Sequence, residues 1–377
     1  MPTHPKPRHE RQQKRYCAIR DALKSMFRIE PQGNMARHSN TLTALICGIV
    51  GSGGANLPRI AQKTPAVLPS GLCPDSKPES RVKRFHRWLK NDAIDCETYF
   101  VPFAQALLQS LCHLPLYLVI DGSVVGRGCM TLMVGVVYKK RVLPLAWIVA
   151  KRKKGHFPEE LHLELIREVE KLVPPQARVI LLGDGEFDGV DLQSLVNGWK
   201  WEYVLRTGAN IILNWDGEQF TYRDVADHIQ PGECIDVPDA LFTQEGYGPI
   251  LAITWWRKDC KEPVHLVTNM SSMEQACDAY RKRFRIETFF SDQKSRGFHL
   301  HKSHLSDPGR LSRLLIAASL AYFWIIYLGA FAVSEGWHRI IHRTDRCDLS
   351  LFQLGLRLLE HFMDSDMPIP VAFHPLV

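Results

Sequence analysis

The chain has 377 residues, 45% of them apolar and 23% charged, a composition that excludes wholesale disorder and allows two domains or one core with additions. The net charge is only +7, but residues 1–92 contain 17 Lys and Arg against 6 Asp and Glu, which leaves −4 for the rest. This asymmetry indicates a polyanionic partner for the N-terminal part, nucleic acid first, although a solvated basic surface without a partner has the same charge.

The ten cysteines are scattered through the chain, and no pair has the close spacing of a zinc site. No secretory signal peptide is evident. We therefore expect free thiols and a cytoplasmic protein.

Residues 17–110 have a helical pattern, interrupted by the GSGG run at 51–54 and by the loop 65–78. We predict that residues 1–110 form a helical, basic, DNA-binding region. Its strongest signal is the segment 80–90, where apolar side chains recur at helical spacing. Cations fill the positions around this apolar stripe, namely Arg81, Lys83, Arg84, Arg87 and Lys90. Such a helix is typical of a surface that lies against a phosphate backbone, though a merely soluble helix has the same pattern.

The middle of the chain alternates short apolar runs with turn residues, which predicts the strands of a buried sheet. We predict strands at 116–120, 131–138, 142–149, 179–182 and 203–206. Amphipathic helices are predicted at 158–173 and 189–197. This order gives an α/β core with both antiparallel and parallel pairing.

Residues 209–262 have short strand-like runs among Gly, Pro and Asp, and we interpret them as a β-rich insertion in the core. A long basic helix at 273–296 and an amphipathic C-terminal helix at 349–362 are predicted beyond it. The domain boundaries that follow are 111–335 for the catalytic core and 336–377 for a C-terminal helical segment.

Residues 314–333 form a run of 20 residues without a formal charge, long enough to cross a bilayer. A helix buried on most sides of a soluble protein has the same composition. Because this run is the only one and contains Ser319, Tyr322 and Tyr327, we predict burial and no membrane.

Two carboxylates follow apolar strands directly. Asp121 closes the run LYLVI and Asp184 follows VILLG, positions at which buried sheets place functional groups. Each is followed by Gly, so taken singly each could instead be a turn residue. Glu186, Asp188 and Asp191 are acidic neighbours of Asp184, and we prefer Asp184 because it lies at the strand end.

A third carboxylate lies on the predicted helix 273–296. Tyr280, Arg283, Glu287 and Lys294 fall within roughly a 60° arc, along about 21 Å of helix. This stripe predicts a metal-binding Glu287 flanked by groups that grip DNA phosphates. An ordinary i,i+4 surface pair of Arg283 with Glu287 is the alternative.

The spacing Tyr-x2-Arg-x3-Glu-x6-Lys of these four residues closely resembles the signature of the insertion-sequence-four family, the Tn-five-like DDE transposases. The regions IDGSVVGRGCMTLMVGVVYKKRVLPLAW and LLGDGEFDG resemble the regions of that family around its first and second Asp. The resemblance covers about residue 40 to the C-terminus. It implies a ribonuclease-H-like core, with Asp121, Asp184 and Glu287 as catalytic metal ligands and with Tyr280, Arg283 and Lys294 on the DNA end.

Two departures from the family pattern stand out. Gly185 follows the second Asp, where members commonly have Arg. In a relative, a Trp of the β insertion stacks on a flipped base, and Trp215, Trp255 and Trp256 are equal candidates here. The hairpin-forming pathway stays open on this ground.

Three oxygen ligands of this kind suit Mg²⁺, with Mn²⁺ as a substitute, and a two-metal site can activate the attacking oxygen and stabilise the leaving oxygen. The resemblance implies a bacterial insertion-sequence enzyme that frees a 3′-hydroxyl by hydrolysis and transfers it into target DNA. It also implies double-stranded DNA as partner, association with the nucleoid and a homodimer in a paired-end complex. The alternatives are a related nuclease without strand transfer and a non-catalytic, transposase-derived DNA-binding protein.

Overall fold

The computed structural model describes residues 8–26, 31–66, 77–152 and 155–376. Its strands are β1 Leu116–Gly126, β2 Cys129–Tyr138, β3 Arg141–Lys151, β4 Val179–Gly183, β5 Glu202–Thr207, β6 Ile212–Trp215, β7 Glu218–Thr221, β8 Cys234–Phe242, β9 Tyr247–Trp255 and β10 Val264–Thr268. They form one sheet in the order β3-β2-β1-β4-β5-β10-β9-β8-β6-β7.

The first five strands form a ribonuclease-H-like core, as predicted. β1, β2 and β3 pair antiparallel through tight turns, and β1, β4 and β5 pair parallel. Parallel strands need crossover connections, which the two helices between β3 and β5 provide. The continuous apolar runs that predicted these strands are buried because helices cover them.

The bounds of one predicted strand are wrong in a way that matters for the site. β1 does not end at Ile120 but continues to Gly126, because β2 pairs with it as far as Cys129. Asp121 therefore lies inside β1, opposite Met133. The parallel pairing with β4, by contrast, ends at Val119 opposite Leu182.

The β-rich character predicted for residues 209–262 is confirmed, with one short helix among its strands. The chain then returns through β10, a strand that the sequence pattern did not predict. β10 pairs antiparallel with β5 on one side and with β9 on the other. The insertion consequently extends the core sheet instead of forming a separate β unit.

Helices surround this sheet and come before and after it in the chain. They are α1 Arg8–Met26, α2 Gly33–Ser52, α3 Leu57–Gln62, α4 Pro78–Lys90, α5 Cys96–Tyr99, α6 Val101–Leu111, α7 Glu159–Glu170, α8 Val190–Gly198, α9 Tyr222–Ala226, α10 Met273–Tyr280, α11 Arg285–Gln293, α12 Pro308–Ser334, α13 His338–Ile341 and α14 Leu351–Asp364. The helical N-terminal pattern is confirmed, and most of the predicted loop 65–78 lies outside the described residues.

The long apolar helix α12 is a core element. Of its most apolar 18-residue window, 89% is buried, and among the described residues it is the one helix long and apolar enough to cross a bilayer. α12 packs on α14 with the backbones in contact, since a Cβ on Gly329 would lie 1.9 Å from the Leu351 carbonyl oxygen. A Cβ on Gly355 would lie equally close to the Ile325 carbonyl oxygen.

The single helix predicted for residues 273–296 is wrong. α10 ends at Tyr280, residues 281–284 form turns, and α11 begins at Arg285. In the turn region the amide of Arg283 donates to Tyr280 and that of Ile286 to Arg283, three residues back instead of four. Such 3₁₀-type bonds wind the backbone more tightly than an α-helix and change the direction of the side chains.

Candidate active site

Asp121 and Asp184 lie side by side on neighbouring strands. In the parallel register Val119 is opposite Leu182, so two residues further on Asp121 is level with Asp184, which follows β4 directly. The amide of Gly122 donates to Asp121 Oδ1 at 2.7 Å, and the amide of Glu186 donates to Asp184 Oδ1 at 3.3 Å. The local backbone therefore holds both carboxylates.

Glu287 reaches the same place from the first turn of α11. Arg283 joins the three acids: one terminal nitrogen lies 2.7 Å from Asp184 Oδ2 and 3.7 Å from Asp121 Oδ2, and the other lies 3.3 Å from Glu287 Oε1. The Arg283 side chain is only 9% exposed. The three predicted acids thus converge on one guanidinium, and Arg283 is more than the i,i+4 partner of Glu287.

The electrostatics of the three acids are uneven because their burial differs. The side chain of Asp121 is 16% exposed, that of Asp184 33% and that of Glu287 59%. Burial raises the pKa of Asp121 to about 6, with Asp184 and Glu287 adding to the rise and Arg283 opposing it. A carboxylate with this environment favours a positive partner strongly.

Lys294 reaches β1 from the end of α11. It caps that helix instead of continuing it, and its Nζ donates to Ser123 Oγ at 2.5 Å. Burial lowers the pKa of Lys294, and the charge of Asp121 opposes that effect. Lys294 therefore lies beside the acids, but not on the straight helical stripe that its spacing predicted.

Tyr280, the last residue of α10, is buried beside the acids. Burial raises the pKa of its phenol, and the charges of Arg283 and Arg206 lower it. Its ring packs edge-on to Phe284, with centroids 5.9 Å apart. All four residues of the predicted stripe consequently lie near Asp121 and Asp184, although a turn separates Tyr280 from α11.

The acidic neighbours of Asp184 have other partners. Glu186 accepts a hydrogen bond from the Phe157 amide and lies 3.1 Å from His156 Nδ1 and 3.5 Å from His162 Nε2. Asp188 accepts from Thr207 Oγ1 at 2.6 Å. These contacts fix the loop after β4, and they leave Asp184 as the acid of this loop that contacts Arg283.

Three features of this site could not be predicted from the motif. Ser123 is two residues beyond Asp121 in β1, and the alternation of a strand is the one signal that places both on one face. The positive charge of Arg206, in β5, opposes the rise in the pKa of Tyr280 that burial causes. His162 packs on Phe187 and supports Glu186, and nothing in its local sequence distinguishes it from a surface His.

The basic helix α4 separates into buried and exposed cations. Arg81 is 6% exposed and its Nε donates to the Ala61 carbonyl at 2.9 Å, so this side chain faces the protein interior, contrary to our prediction. The reason is that Arg81 lies on the same side as Phe85 and Leu89, which are fully buried. Arg84 is half-buried, whereas Lys83, Arg87 and Lys90 are exposed.

The three candidate tryptophans of the insertion differ in access. Trp215, at the end of β6, is 44% exposed, whereas Trp255 is buried. The indole of Trp256 donates to the Cys260 carbonyl. Exposure thus favours Trp215 as the aromatic available for stacking.

The donor chemistry of the three acids suits a hard divalent cation, because they offer carboxylate oxygens and Asp121 lacks full compensation of its charge. Within the part of the chain that the structure describes, no three acidic, His or Cys side chains are grouped closely enough to hold one metal ion as they stand. Their common contact is Arg283. The residues therefore fit a divalent metal in kind, provided that the guanidinium moves away from the acids.

Residues 122–324, more than half of the chain, match the family described as Transposase DDE domain. No curated protein matches the chain.

Among solved structures, the chain is similar to a piggyBac transposase synaptic complex with hairpin DNA, at 13% identity and a TM-score of 0.43, over 95% of this chain and 79% of that one. It is also similar to two structures of human endonuclease V. In one the identity is 16% and the TM-score 0.27, over 51% of this chain and 92% of that one. In the other, of the catalytic domain, they are 14% and 0.26, over 60% and 94%.

Proposed function

The chain belongs to the Transposase DDE domain family, and from that premise we propose that it cuts transposon ends and joins them to target DNA. One observation supports this proposal above the others. Asp121, Asp184 and Glu287, which come from three different elements, converge on the guanidinium of Arg283. One guanidinium neutralises only one of three carboxylates, so the group keeps an excess of negative charge that suits a divalent cation.

We propose that Asp121, Asp184 and Glu287 hold divalent cations, Mg²⁺ with Mn²⁺ as a substitute. When bound, such cations activate the attacking oxygen and stabilise the leaving oxygen of a phosphodiester. The protein's own task is then to keep the carboxylates ionised and oriented. The amides of Gly122 and Glu186 orient the carboxylates of Asp121 and Asp184.

We infer that the DNA strand lies against the cations around the acids. Arg283 can make a bidentate contact to a phosphate, Lys294 offers a point charge, and Tyr280 can donate one hydrogen bond. In the proposed hydrolysis, a water oxygen bonds to phosphorus while the bond to the 3′-oxygen breaks, which releases a 3′-hydroxyl. In the second reaction that hydroxyl attacks a target phosphorus and a target 3′-oxygen leaves.

More finely, we propose membership of the insertion-sequence-four group, because Tyr280, Arg283, Glu287 and Lys294 match its signature without a gap. Double-stranded DNA is then the substrate, and two copies of the chain act together on paired ends. The position of the acids beside Arg283 and Lys294 is consistent with an end whose last phosphates contact these cations.

Product analysis distinguishes this proposal from its alternatives. The purified protein is incubated with Mg²⁺, a supercoiled plasmid and a labelled duplex that carries the inverted repeat flanking its gene. Labelled plasmid with a new strand joint supports the transposase. Cleaved ends without joints support a nuclease, and binding without cleavage supports a DNA-binding protein that lacks catalysis.

A further inference from the structure

The segment that follows α11 is unusually basic. From Lys294 to Ser306 it contains Lys294, Arg296, Lys302 and three histidines, and no acidic residue. Its apolar residues Phe298, Leu300 and Leu305 are buried. Packing of these side chains therefore leaves the polar ones outside, and Arg296, His301, Lys302 and His304 are exposed.

Two other elements add cations to this segment. The amide of Arg127, in the turn between β1 and β2, donates to the Leu305 carbonyl, and its Nη2 donates to His304 Nδ1 at 3.0 Å. Burial lowers the pKa of His299, and the charges of Lys302, His301 and Arg59, which lies on α3, lower it further. We call Arg59, Arg127, Arg296, His301, Lys302 and His304 the cationic strip.

Few carboxylates lie near the strip. Burial raises the pKa of Asp292, and the charge of Arg296 is among those that oppose this rise. Among the residues that the structure describes, no carboxylate lies within ion-pair distance of the four cationic side chains of the strip, Arg59, Arg127, Arg296 and Lys302. Elsewhere, cations such as Arg178 and Arg257 are paired. A cluster with this excess of positive charge attracts a polyanion.

The strip begins at the candidate active site. His301 lies within electrostatic reach of Lys294, whose Nζ contacts Ser123 beside Asp121. Beyond the strip in the chain, α12 contacts α4: Arg310 Nη2, in the first turn of α12, donates to His86 Nδ1 at 2.7 Å. Arg310 and His86 thus link the start of α12, which follows the strip in the chain, to α4.

We propose that the cationic strip binds the phosphate backbone of the duplex DNA that flanks the cleaved bond. The inference rests on the proposed function for its choice of duplex DNA. Arg59, Arg127 and Lys302 come from three different elements, so they can contact successive phosphates along a groove edge. The imidazole of His301, whose pKa is lowered by burial and by the charges of Lys302 and Lys294, can donate a hydrogen bond to a phosphate oxygen.

The test measures the salt dependence of DNA binding. The variants are Arg59→Gln, Arg127→Gln, Lys302→Gln and the triple variant, each in an Asp121→Asn background that prevents cleavage. Each is titrated with a duplex end in EDTA at several salt concentrations. Each lost phosphate contact is expected to reduce the slope of log K against log salt by about 0.9, and the triple variant by about three times as much. Arg167→Gln is the matched control, because Arg167 is an exposed Arg on α7 among Glu164, Glu168 and Glu170.

An unchanged slope in the triple variant, with a melting temperature equal to that of the parent, would overturn the inference. Loss of binding to single-stranded DNA alone would overturn the assignment to duplex DNA. The proposed function fails separately: a wild-type chain that binds through the strip but cuts no ends refutes catalysis and leaves the strip in place.

Discussion

Arg283 Nη2 lies 2.7 Å from Asp184 Oδ2, although 99 residues separate them in the sequence. This contact joins the turn between α10 and α11 to the end of β4. From this turn, Arg283 reaches both Asp184 and Glu287. The same guanidinium is the group that a divalent cation must replace.

Replacement of Arg283 by Ala is expected to destabilise the protein in EDTA by about 1 to 3 kcal/mol, because three carboxylates lose their common counter-ion. The loss is smaller than the 3–5 kcal/mol of a fully buried pair, since Glu287 is mostly exposed. Saturating Mg²⁺ should raise the melting temperature of Arg283→Ala more than that of the wild type, because the cation binds without competition.

Arg178→Ala is the control for Arg283→Ala. Arg178 makes two hydrogen bonds to Glu202 on the surface and should contribute less than about 1 kcal/mol, with no change in the Mg²⁺ response. Equal Mg²⁺ responses of Arg283→Ala and wild type would refute competition between guanidinium and cation.

Asp121 makes the stability of the protein without metal depend on pH. Burial raises its pKa to about 6 from 3.8, so the folded state binds the proton more tightly than the unfolded state. Below about pH 3.8 the contribution of this group to stability is fully present, and it is lost as pH rises through 6. Ionised Asp121 then lowers stability by up to about 3 kcal/mol at 1.36 kcal/mol per pH unit.

Asp121→Asn should therefore melt several degrees above the wild type at pH 8 in EDTA, and the difference should shrink as the pH falls toward 4. Thermal denaturation followed by circular dichroism measures both. A difference that does not depend on pH would mean that Asp121 has an ordinary pKa in the folded protein.

Most of the core could be predicted from sequence because apolar runs and their spacing are local signals. β1 to β5, α7 and α8 were each located from such runs. β10 was missed, since five residues between two loops give little pattern, and its place beside β5 depends on pairing across more than fifty residues. The break at 281–284 was also missed, because these residues favour a helix and contain neither Gly nor Pro.

The candidate site was predictable as a set of residues but not as a geometry. The spacing from Tyr280 to Lys294 identified the residues, while their common orientation comes from turns that tertiary contacts impose. Burial of Arg81 was also missed, although its spacing of four and eight residues from Phe85 and Leu89 places it on the apolar face of α4.

We expect the exposed cations of α4 to bind DNA and the buried Arg81 to stabilise the fold. Neutralising Lys83, Arg87 and Lys90 together should remove up to about three phosphate contacts and reduce the slope of log K against log salt for transposon-end DNA accordingly. Arg81→Ala should leave that slope unchanged and lower the melting temperature, since the buried Ala61 carbonyl loses its donor. A reduced slope for Arg81→Ala with wild-type stability would contradict this division.

The backbone contact between α12 and α14 should be intolerant of any side chain. Gly329→Ala and Gly355→Ala each place a Cβ 1.9 Å from a carbonyl oxygen, so the helices must separate. We expect each to destabilise the fold by about 1 to 3 kcal/mol. Gly198→Ala is the control, because a Cβ at this helix end meets no atom within 4 Å. Unchanged melting of Gly329→Ala and Gly355→Ala would show that the helices are further apart.

We propose that Asp121, Asp184 and Glu287 together carry DNA cleavage. The most direct measurement of this central claim is cleavage of a labelled duplex end with Mg²⁺ by three variants, Asp121→Asn, Asp184→Asn and Glu287→Gln. Each change removes a carboxylate charge at nearly constant volume. We predict that every variant loses cleavage completely while its circular dichroism spectrum and its affinity for the duplex stay close to those of the wild type. Near-normal cleavage by any one of the three would contradict the claim and remove that residue from the site.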